Sequence, residues 1–251
     1  GGDVVIPNDE GILYIGAYAF CLYDTDRSIE LTEDDYDKNK IPAANTTIRS
    51  VVIPDTVEEI QKYAFYNCSG LESVTIPASV KTIREYAFAK DVKLETVDLS
   101  HVETIGREAF SGCVSLTQAD LTHVYAIGIR AFRGCTSLTS VDLTALRNTG
   151  AEAFQGCTKL SDVTFGEKTR LAEGMFARSG VREVTLYETI EIPKFCFASC
   201  LDLTKVTLKG AQLWKIGYGA FCECEKLSQV VFEGKVDIIG EQAFYKCTGL
   251  T

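Results

Sequence analysis

The sequence has few basic residues, only two histidines and no long apolar run, and each shortage narrows the possible functions. Lysine and arginine number 25 against 35 acidic residues, and the resulting net charge of −10 disfavours nucleic acid as a partner because phosphates would be repelled. No apolar segment approaches the ~20 residues of a membrane-spanning helix, so we expect no transmembrane segment in this chain. The 46% of hydrophobic and 24% of charged residues are typical of a folded globular protein.

Motifs of the common enzyme classes are also missing. The sequence contains no G-x-S-x-G, no phosphate-binding P-loop, no H-E-x-x-H and no G-x-G-x-x-G. A nucleophile with a histidine base would have to use His101 or His123, and both lie at a recurring position of a regular repeat, where no concave pocket is expected. We therefore predict that the protein is not an enzyme and needs no cofactor.

What the sequence does contain is an internal repeat. A phenylalanine, usually preceded by alanine, recurs at intervals of 21 to 24 residues from Phe65 onward. Together with one earlier residue, this set consists of Phe20, Phe65, Phe88, Phe110, Phe132, Phe154, Phe176, Phe197, Phe221 and Phe244. Seven of them are followed three places later by cysteine, whereas Asp91 and Ser179 take that place in two units.

Each unit continues with the pattern L-x-x-V-x-[ILF], as in "LETVDLS" (94–100), and then V-x-x-I, as in "VETI" (102–105). Alternating apolar and polar residues predict a half-buried strand. One unit cannot bury its apolar face alone, but stacked units cover one another. We therefore predict an α/β solenoid of about ten coils, each a strand and a short helical or 3-10 turn, with the strands in one parallel sheet and phenylalanine and cysteine in internal ladders.

This pattern resembles the BspA-type leucine-rich repeat, L-x-x-V-x-I-P-x-x-V-x-x-I-x-x-x-A-F-x-x-C, which "LESVTIPASVKTIREYAF" (71–88) carries nearly complete. The resemblance covers almost the whole chain. It implies a right-handed leucine-rich superhelix. It also implies a non-catalytic adhesion or binding protein, secreted or displayed on a cell surface, and a bacterial source by family occurrence.

We expect one repeat domain over residues 1–251, with two irregularities. Phe20 and Phe65 are 45 residues apart, which indicates an acidic insertion at about 22–47. The sequence also stops at "CTGLT", in mid-repeat, and an open end of a solenoid needs further chain or a cover.

Two groups of residues are candidate ligand-binding sites. Asp98, Asp120 and Asp142 fall at the same outward strand position of successive units, where three carboxylates would raise one another's pKa and could bind a cation or a basic ligand. The alternative is that each aspartate bonds a nearby backbone N–H. A second group, which could bind a glycan, shares the position two places before the phenylalanine; it comprises Tyr18, Tyr63 and Tyr86. The alternative for these tyrosines is packing beneath the insertion.

Metal sites are possible in three places, although each has a simpler explanation that we favour. Cys196, Cys200, Cys222 and Cys224 could hold zinc, but the C-x-C spacing is awkward and most of these residues fit the ladder. His101 and His123 are 22 residues apart and could form a stacked zinc pair. A calcium loop could use residues 24–35, but isoleucine replaces its central glycine. We predict no metal, and we expect reduced cysteines, buried in the ladder except for partly exposed Cys21 and Cys222.

The function that follows is a non-catalytic adhesion scaffold that recognises a host or neighbouring-cell macromolecule, a protein or a glycan, through an extended repeat face. Two alternatives remain open. The protein could be a glycan-binding module that uses the tyrosine group, or a structural spacer without a ligand of its own.

Overall fold

The structure is a computed structural model that describes residues 2–7, 12–21, 43–210 and 212–250. Within these ranges the chain forms nineteen short strands, arranged in two columns because most repeat units contribute one strand to each. No helix in the described ranges is long and apolar enough to cross a membrane.

The first column derives from the L-x-x-V-x-[ILF] segments and contains β1 (Asp3–Val5), β3 (Ser50–Val52), β5 (Ser73–Thr75), β7 (Thr96–Val97), β9 (Gln118–Ala119), β11 (Ser140–Leu143), β13 (Asp162–Phe165), β14 (Glu183–Tyr187), β16 (Lys205–Lys209) and β18 (Gln229–Phe232). The second column derives from the V-x-x-I segments and contains β2 (Tyr14–Ile15), β4 (Glu59–Ile60), β6 (Thr82–Ile83), β8 (Thr104–Ile105), β10 (Ala126–Ile127), β12 (Asn148–Thr149), β15 (Glu191–Ile192), β17 (Gln212–Ile216) and β19 (Lys235–Ile239).

Neighbouring strands pair in parallel, and the register repeats from one coil to the next. Ser73 pairs with Thr96, and Thr96 pairs with Gln118, so equivalent residues of successive units lie side by side. Val74 and the equivalent valines of the first column point inward, while the residues beside them are exposed. This alternation follows from the two-residue period of a strand, and it confirms the predicted parallel solenoid. The strands do not form the one predicted sheet, because the V-x-x-I segments are strands as well and pair in a second column.

The Ala-Phe segments form the third side of each coil, and they are turns. No α-helix or 3-10 helix occurs in the part of the chain that is described, so the predicted helical turns are not found and the α/β class is not confirmed. From Phe65 to Phe244, the residues two places before and two places after each ladder phenylalanine have positive φ, as in Glu108 (52°) and Gly112 (78°). Such residues cannot continue a right-handed helix. The backbone therefore bonds to the next coil, where the Phe110 N–H donates to the Ala131 carbonyl at 2.8 Å.

The number of regular coils is also smaller than the predicted ten. About eight turns are regular, with a strand in each column. The first unit is interrupted by residues outside the described ranges, and the unit that ends at Phe176 contributes no strand to the second column.

The phenylalanine ladder is the centre of the core. Its rings stack nearly parallel, with centroids 5.2 Å apart for Phe88 and Phe110 and 5.4 Å apart for Phe132 and Phe154. Every ladder ring from Phe65 to Phe221 is fully buried. Burial of one such side chain contributes roughly 1.5–3 kcal/mol, so this ladder supplies a large share of the stability. The predicted ladder is confirmed.

The cysteines form a second ladder beside the rings. All ten are free thiols, and Cys21 and Cys222 are the two that are partly exposed, as expected. The buried thiols also act as donors, since Cys113 Sγ donates to the Phe88 carbonyl at 3.1 Å and Cys135 repeats this contact with Phe110 at 3.2 Å. A small side chain with one weak donor therefore suits a position where a carbonyl of the preceding coil needs a partner.

The sheets are interrupted once, at residues 166–182. The seven-stranded sheet ends at β13 and the six-stranded sheet ends at β12, whereas β14 and β15 begin two new three-stranded sheets. The third side continues without a break, because the Phe154 N–H donates to Met175 and the Phe176 N–H donates to Cys196, both at 2.8 Å. We call the coils of β1–β13 the amino-terminal stack and those of β14–β19 the carboxyl-terminal stack.

Candidate functional site

The outward face of the first column in the amino-terminal stack is one candidate binding surface. Asp98, Asp120 and Asp142 lie at its centre, each two residues after a strand position that is in register with its neighbours. The spacing of adjacent strands places these carboxylates about 4.8 Å apart along the column. We call these three residues the acidic strip.

Each aspartate of the acidic strip also closes a turn at the end of its strand. Asp98 Oδ1 accepts the Ser100 N–H at 2.9 Å, and Asp120 Oδ1 accepts the N–H and the hydroxyl of Thr122 at 3.0 and 2.6 Å. Asp142 makes the same backbone contact two residues on, at 2.9 Å. Hydrogen bonds from Ser100 lower the pKa of Asp98, so the expected rise in its pKa is wrong. The strip is therefore ionised at Asp98 and still presents exposed carboxylate oxygen.

The tyrosine group stacks in the order that the sequence indicates. Tyr63 lies between Tyr18 and Tyr86, with ring centroids 4.8 Å apart on both sides and nearly parallel planes. Tyr66 meets Tyr63 edge-on at 5.4 Å. Both faces of the Tyr63 ring are covered and the residue is only 6% exposed, so this ring has no face left on which a sugar could stack.

These tyrosines begin a longer series that sequence reasoning missed. The position two places before each ladder phenylalanine has φ between 52° and 61° throughout, and we call it the lateral column; it consists of Tyr18, Tyr63, Tyr86, Glu108, Arg130, Glu152, Gly174, Phe195, Gly219 and Gln242. The Tyr86 hydroxyl lies 3.4 Å from Glu108. Arg130 contacts Glu152 through two nitrogens, at 2.8 and 3.3 Å. The sequence does contain a signal for this column, because the residue at this fixed repeat position changes along the chain from tyrosine to charged residues and then to glycine.

An open groove of about 330 Å³ lies where the lateral column reaches Gly174. Gly174 gives the column no side chain at this point, which lies beside the interruption of the sheets. Glu152 and Phe195 border it within the column, and Glu173 and Arg178 lie on the same coil as the glycine.

The candidate metal ligands are not brought together. Among the residues that the structure describes, no three of the histidine, cysteine, aspartate and glutamate side chains lie close enough to hold one ion. Cys196 is fully buried, and burial raises the pKa of its thiol. Burial also raises the pKa of Cys21 to about 12, so this thiol stays protonated at neutral pH. His101 and His123 are exposed, and the Nδ1 of His123 lies 3.3 Å from the Thr122 hydroxyl.

The acidic insertion is only partly described. The candidate calcium loop at 24–35 lies outside the described residues. Asn45, at the end of the insertion, is buried, and its Nδ2 donates to the Phe20 carbonyl at 2.9 Å. Its Oδ1 accepts the Thr47 N–H at 3.1 Å. Asn45 therefore links the chain after the insertion to the first coil.

Comparisons with known proteins agree with the geometry. The sequence matches six copies of the family described as "BspA type Leucine rich repeat region", over residues 43–148, 103–211 and 125–251. No curated protein sequence matches it significantly. Its structure is similar to that of the pneumococcal vaccine antigen PcpA, with a TM-score of 0.61 and 17% identity over 100% of this chain and 71% of that one. It is also similar to a leucine-rich repeat protein from T. pallidum, with a TM-score of 0.51 and 23% identity over 71% of this chain and 77% of that one. At these identities the likeness shows the fold alone.

Proposed function

The chain belongs to the BspA-type leucine-rich repeat family, and we propose that it is a non-catalytic binding scaffold, secreted or displayed on a bacterial surface. In this proposal the scaffold recognises a protein of a host or a neighbouring cell. The observation that carries the proposal is the regular outward face of the first column, where seven parallel strands repeat one polar surface. Solenoids commonly bind on such extended faces.

The partner that suits this face carries a basic patch. The acidic strip stacks carboxylates in the middle of the amino-terminal stack, and the whole chain has an excess of ten negative charges. Charge of one sign along a face raises the rate of encounter with a partner of the opposite sign. It also fixes the position along the face at which the partner binds. The strip would thus orient the partner, while neighbouring outward residues such as Ser140 and Thr164 supply hydrogen bonds.

The test neutralises the strip without disturbing its turns. Asparagine keeps the oxygen that accepts the backbone N–H, so the triple change Asp98→Asn, Asp120→Asn and Asp142→Asn should fold normally. We expect this variant to bind immobilised extracellular host proteins about tenfold more weakly than the unchanged chain, since each exposed charge pair contributes ~0.2–1 kcal/mol. Surface plasmon resonance at two salt concentrations is the measurement.

The matched control removes three exposed carboxylates outside the strip, in the triple change Glu167→Gln, Glu225→Gln and Glu241→Gln. It should retain binding. Equal loss in both variants would mean that total charge acts and the strip does not. If the unchanged chain binds none of the immobilised proteins, the spacer alternative replaces this proposal.

A further inference from the structure

The groove at Gly174 arises from two glycines in the lateral column. Gly174 has φ 58°, close to the 60° of Tyr63, and it contributes no side chain where other coils place tyrosine, glutamate or arginine. One coil on, the Phe195 ring lies over Gly219, where a Cβ atom would stand only 2.7 Å from the ring. The ring meets Tyr218 edge-on at 5.3 Å. Phe195 thereby leans towards the following coil, and the space beside Gly174 stays open.

The walls of the groove are polar and its aromatic side chain is exposed. Phe195 is 36% exposed, which is high for a residue of this size in a column of packed side chains. Side chains that can bond a ligand surround it, namely Glu152, Gln155, Glu173, Arg178 and Ser199. A volume of about 330 Å³ falls within the range of roughly 300–1,000 Å³ that is usual for small-ligand sites.

Both carboxylates of the groove already have cationic partners from the chain. Arg130 bonds Glu152 from the preceding coil, and Lys194 Nζ lies 3.0 Å from Glu173. A cationic ligand would have to compete with these ion pairs, and an anionic ligand would meet two carboxylates beside the Arg178 guanidinium. A neutral ligand with hydroxyl groups can instead use the remaining lone pairs of the paired carboxylates, which the ion pairs hold in position.

We propose that the groove at Gly174 binds a neutral saccharide unit. The exposed ring of Phe195 offers an apolar surface with an electron-rich face for the C–H groups of a sugar ring. The carboxylates accept from sugar hydroxyls, and Gln155 and Arg178 donate to them. The site lies on the lateral side, apart from the acidic strip, so it does not depend on the function proposed for the strand face. It also differs from the tyrosine group, whose central ring is covered.

Two variants of the full chain test the site by different means. Gly174→Tyr fills the groove with a side chain that the lateral column accepts at the same φ in three other coils. Phe195→Ala removes the ring from a partly exposed position, so the core stays intact. The probes are an array of bacterial and mammalian glycans, followed by calorimetric titration with the neutral saccharides that bind. Lysine, choline and acetate serve as charged probes in the same titrations.

We expect the unchanged chain to bind neutral saccharides, and each variant to bind them at least about tenfold more weakly, the loss that ~1.4 kcal/mol produces. Gln242→Tyr, which adds the same side chain to the lateral column two coils beyond Phe195, should bind like the unchanged chain. The proposal is overturned if no saccharide on the array binds, if both variants retain the binding, or if a charged probe binds the groove in preference to every neutral saccharide. None of these results bears on the acidic strip, which is tested with proteins.

Discussion

The two stacks are built from the same repeat, yet they differ in how the coils are held together. In the amino-terminal stack the second-column strands have only two residues, and a close turn such as Pro77–Val80 joins the columns with a 3.1 Å hydrogen bond. In the carboxyl-terminal stack β16, β17 and β19 have five residues each. Strands β13 and β14 are not paired, so the bonds and stacked rings of the third side and the shared hydrophobic core join the two stacks. Beside the first column, one long bond runs from the Arg182 N–H to the Ser161 carbonyl at 3.5 Å. The spacing of the ladder phenylalanines is therefore nearly constant along the chain, whereas strand length varies from unit to unit.

The largest expected effect comes from removing one ring of the phenylalanine ladder, either within a stack or between the two stacks. Phe110→Ala, inside the amino-terminal stack, and Phe176→Ala, at the interruption, each remove a fully buried ring and should cost about 3–5 kcal/mol. The paired sheets around Phe110 should keep unfolding cooperative in the first variant. In the second variant the stacks should unfold separately, because no paired strands join them and the ring that bridges them in the core is gone.

Two spectroscopic probes check this expectation. Trp214, the sole tryptophan of the chain, lies in the carboxyl-terminal stack, so its fluorescence follows that stack while far-UV circular dichroism follows all strands. We expect urea transitions from the two probes to coincide for Phe110→Ala and to differ for Phe176→Ala. Coincident transitions in both variants would contradict the idea that the interruption weakens the coupling.

A second experiment compares the two places where cysteine is missing from its ladder. Asp91 is fully buried, its Oδ1 accepts the Cys68 N–H at 2.7 Å, and its Oδ2 has no hydrogen-bond partner among the residues that the structure describes. Burial raises the pKa of this carboxyl well above 3.8. A raised pKa in the folded state means that folding favours the protonated form of this carboxyl. The contribution of Asp91 to the free energy of unfolding is therefore greatest at acid pH and falls as pH rises through the folded pKa.

Asp91→Cys should therefore stabilise the protein at pH 8 by about 1–3 kcal/mol and by less at pH 4, since it removes an unsatisfied buried group. Ser179→Cys is the control, because Ser179 does not titrate and already contacts Cys200 Sγ at 3.5 Å. Its effect should be small and equal at both pH values. Urea denaturation at each pH gives the comparison, and a pH-independent gain for Asp91→Cys would show that the carboxyl is not the cause.

The smallest expected effect concerns ion pairs on the two stacks. Arg130 holds Glu152 by two contacts and lowers the pKa of that carboxyl, so this pair stabilises the fold above the normal pKa of glutamate and loses its effect as pH falls through the lowered value. Arg130→Gln should cost about 0.5–1 kcal/mol at pH 7 and less at pH 3. Lys226→Gln breaks the more exposed single contact with Asp202 and should have no measurable effect. Thermal melts of both variants at both pH values are the measurement. Equal losses of stability in the two variants at pH 7 would contradict this expectation.

The repeat period predicted the stacking of the coils because one phenylalanine per unit can be buried only against its neighbours. It did not predict the turns, since Ala-Phe segments contain good helix formers and nothing in Glu108 or Arg130 announces a left-handed backbone. The strand period predicted that Asp98 points outward, and the shared repeat position predicted that Tyr18, Tyr63 and Tyr86 line up. It could not show that the tyrosine rings cover one another, nor that Gly174 opens a groove, because both depend on which residues the adjacent coils contribute.

The lateral column has a consequence for how such proteins diversify. Its backbone takes one shape in every coil, whether the residue is aromatic, charged or glycine, so a single codon decides which chemical group appears at each step of about 5 Å along the molecule. Replacing one bulky residue with glycine would create a vacancy, and the reverse change would close it. Paralogues could thereby shift or erase a recognition spot without any alteration of the surrounding framework.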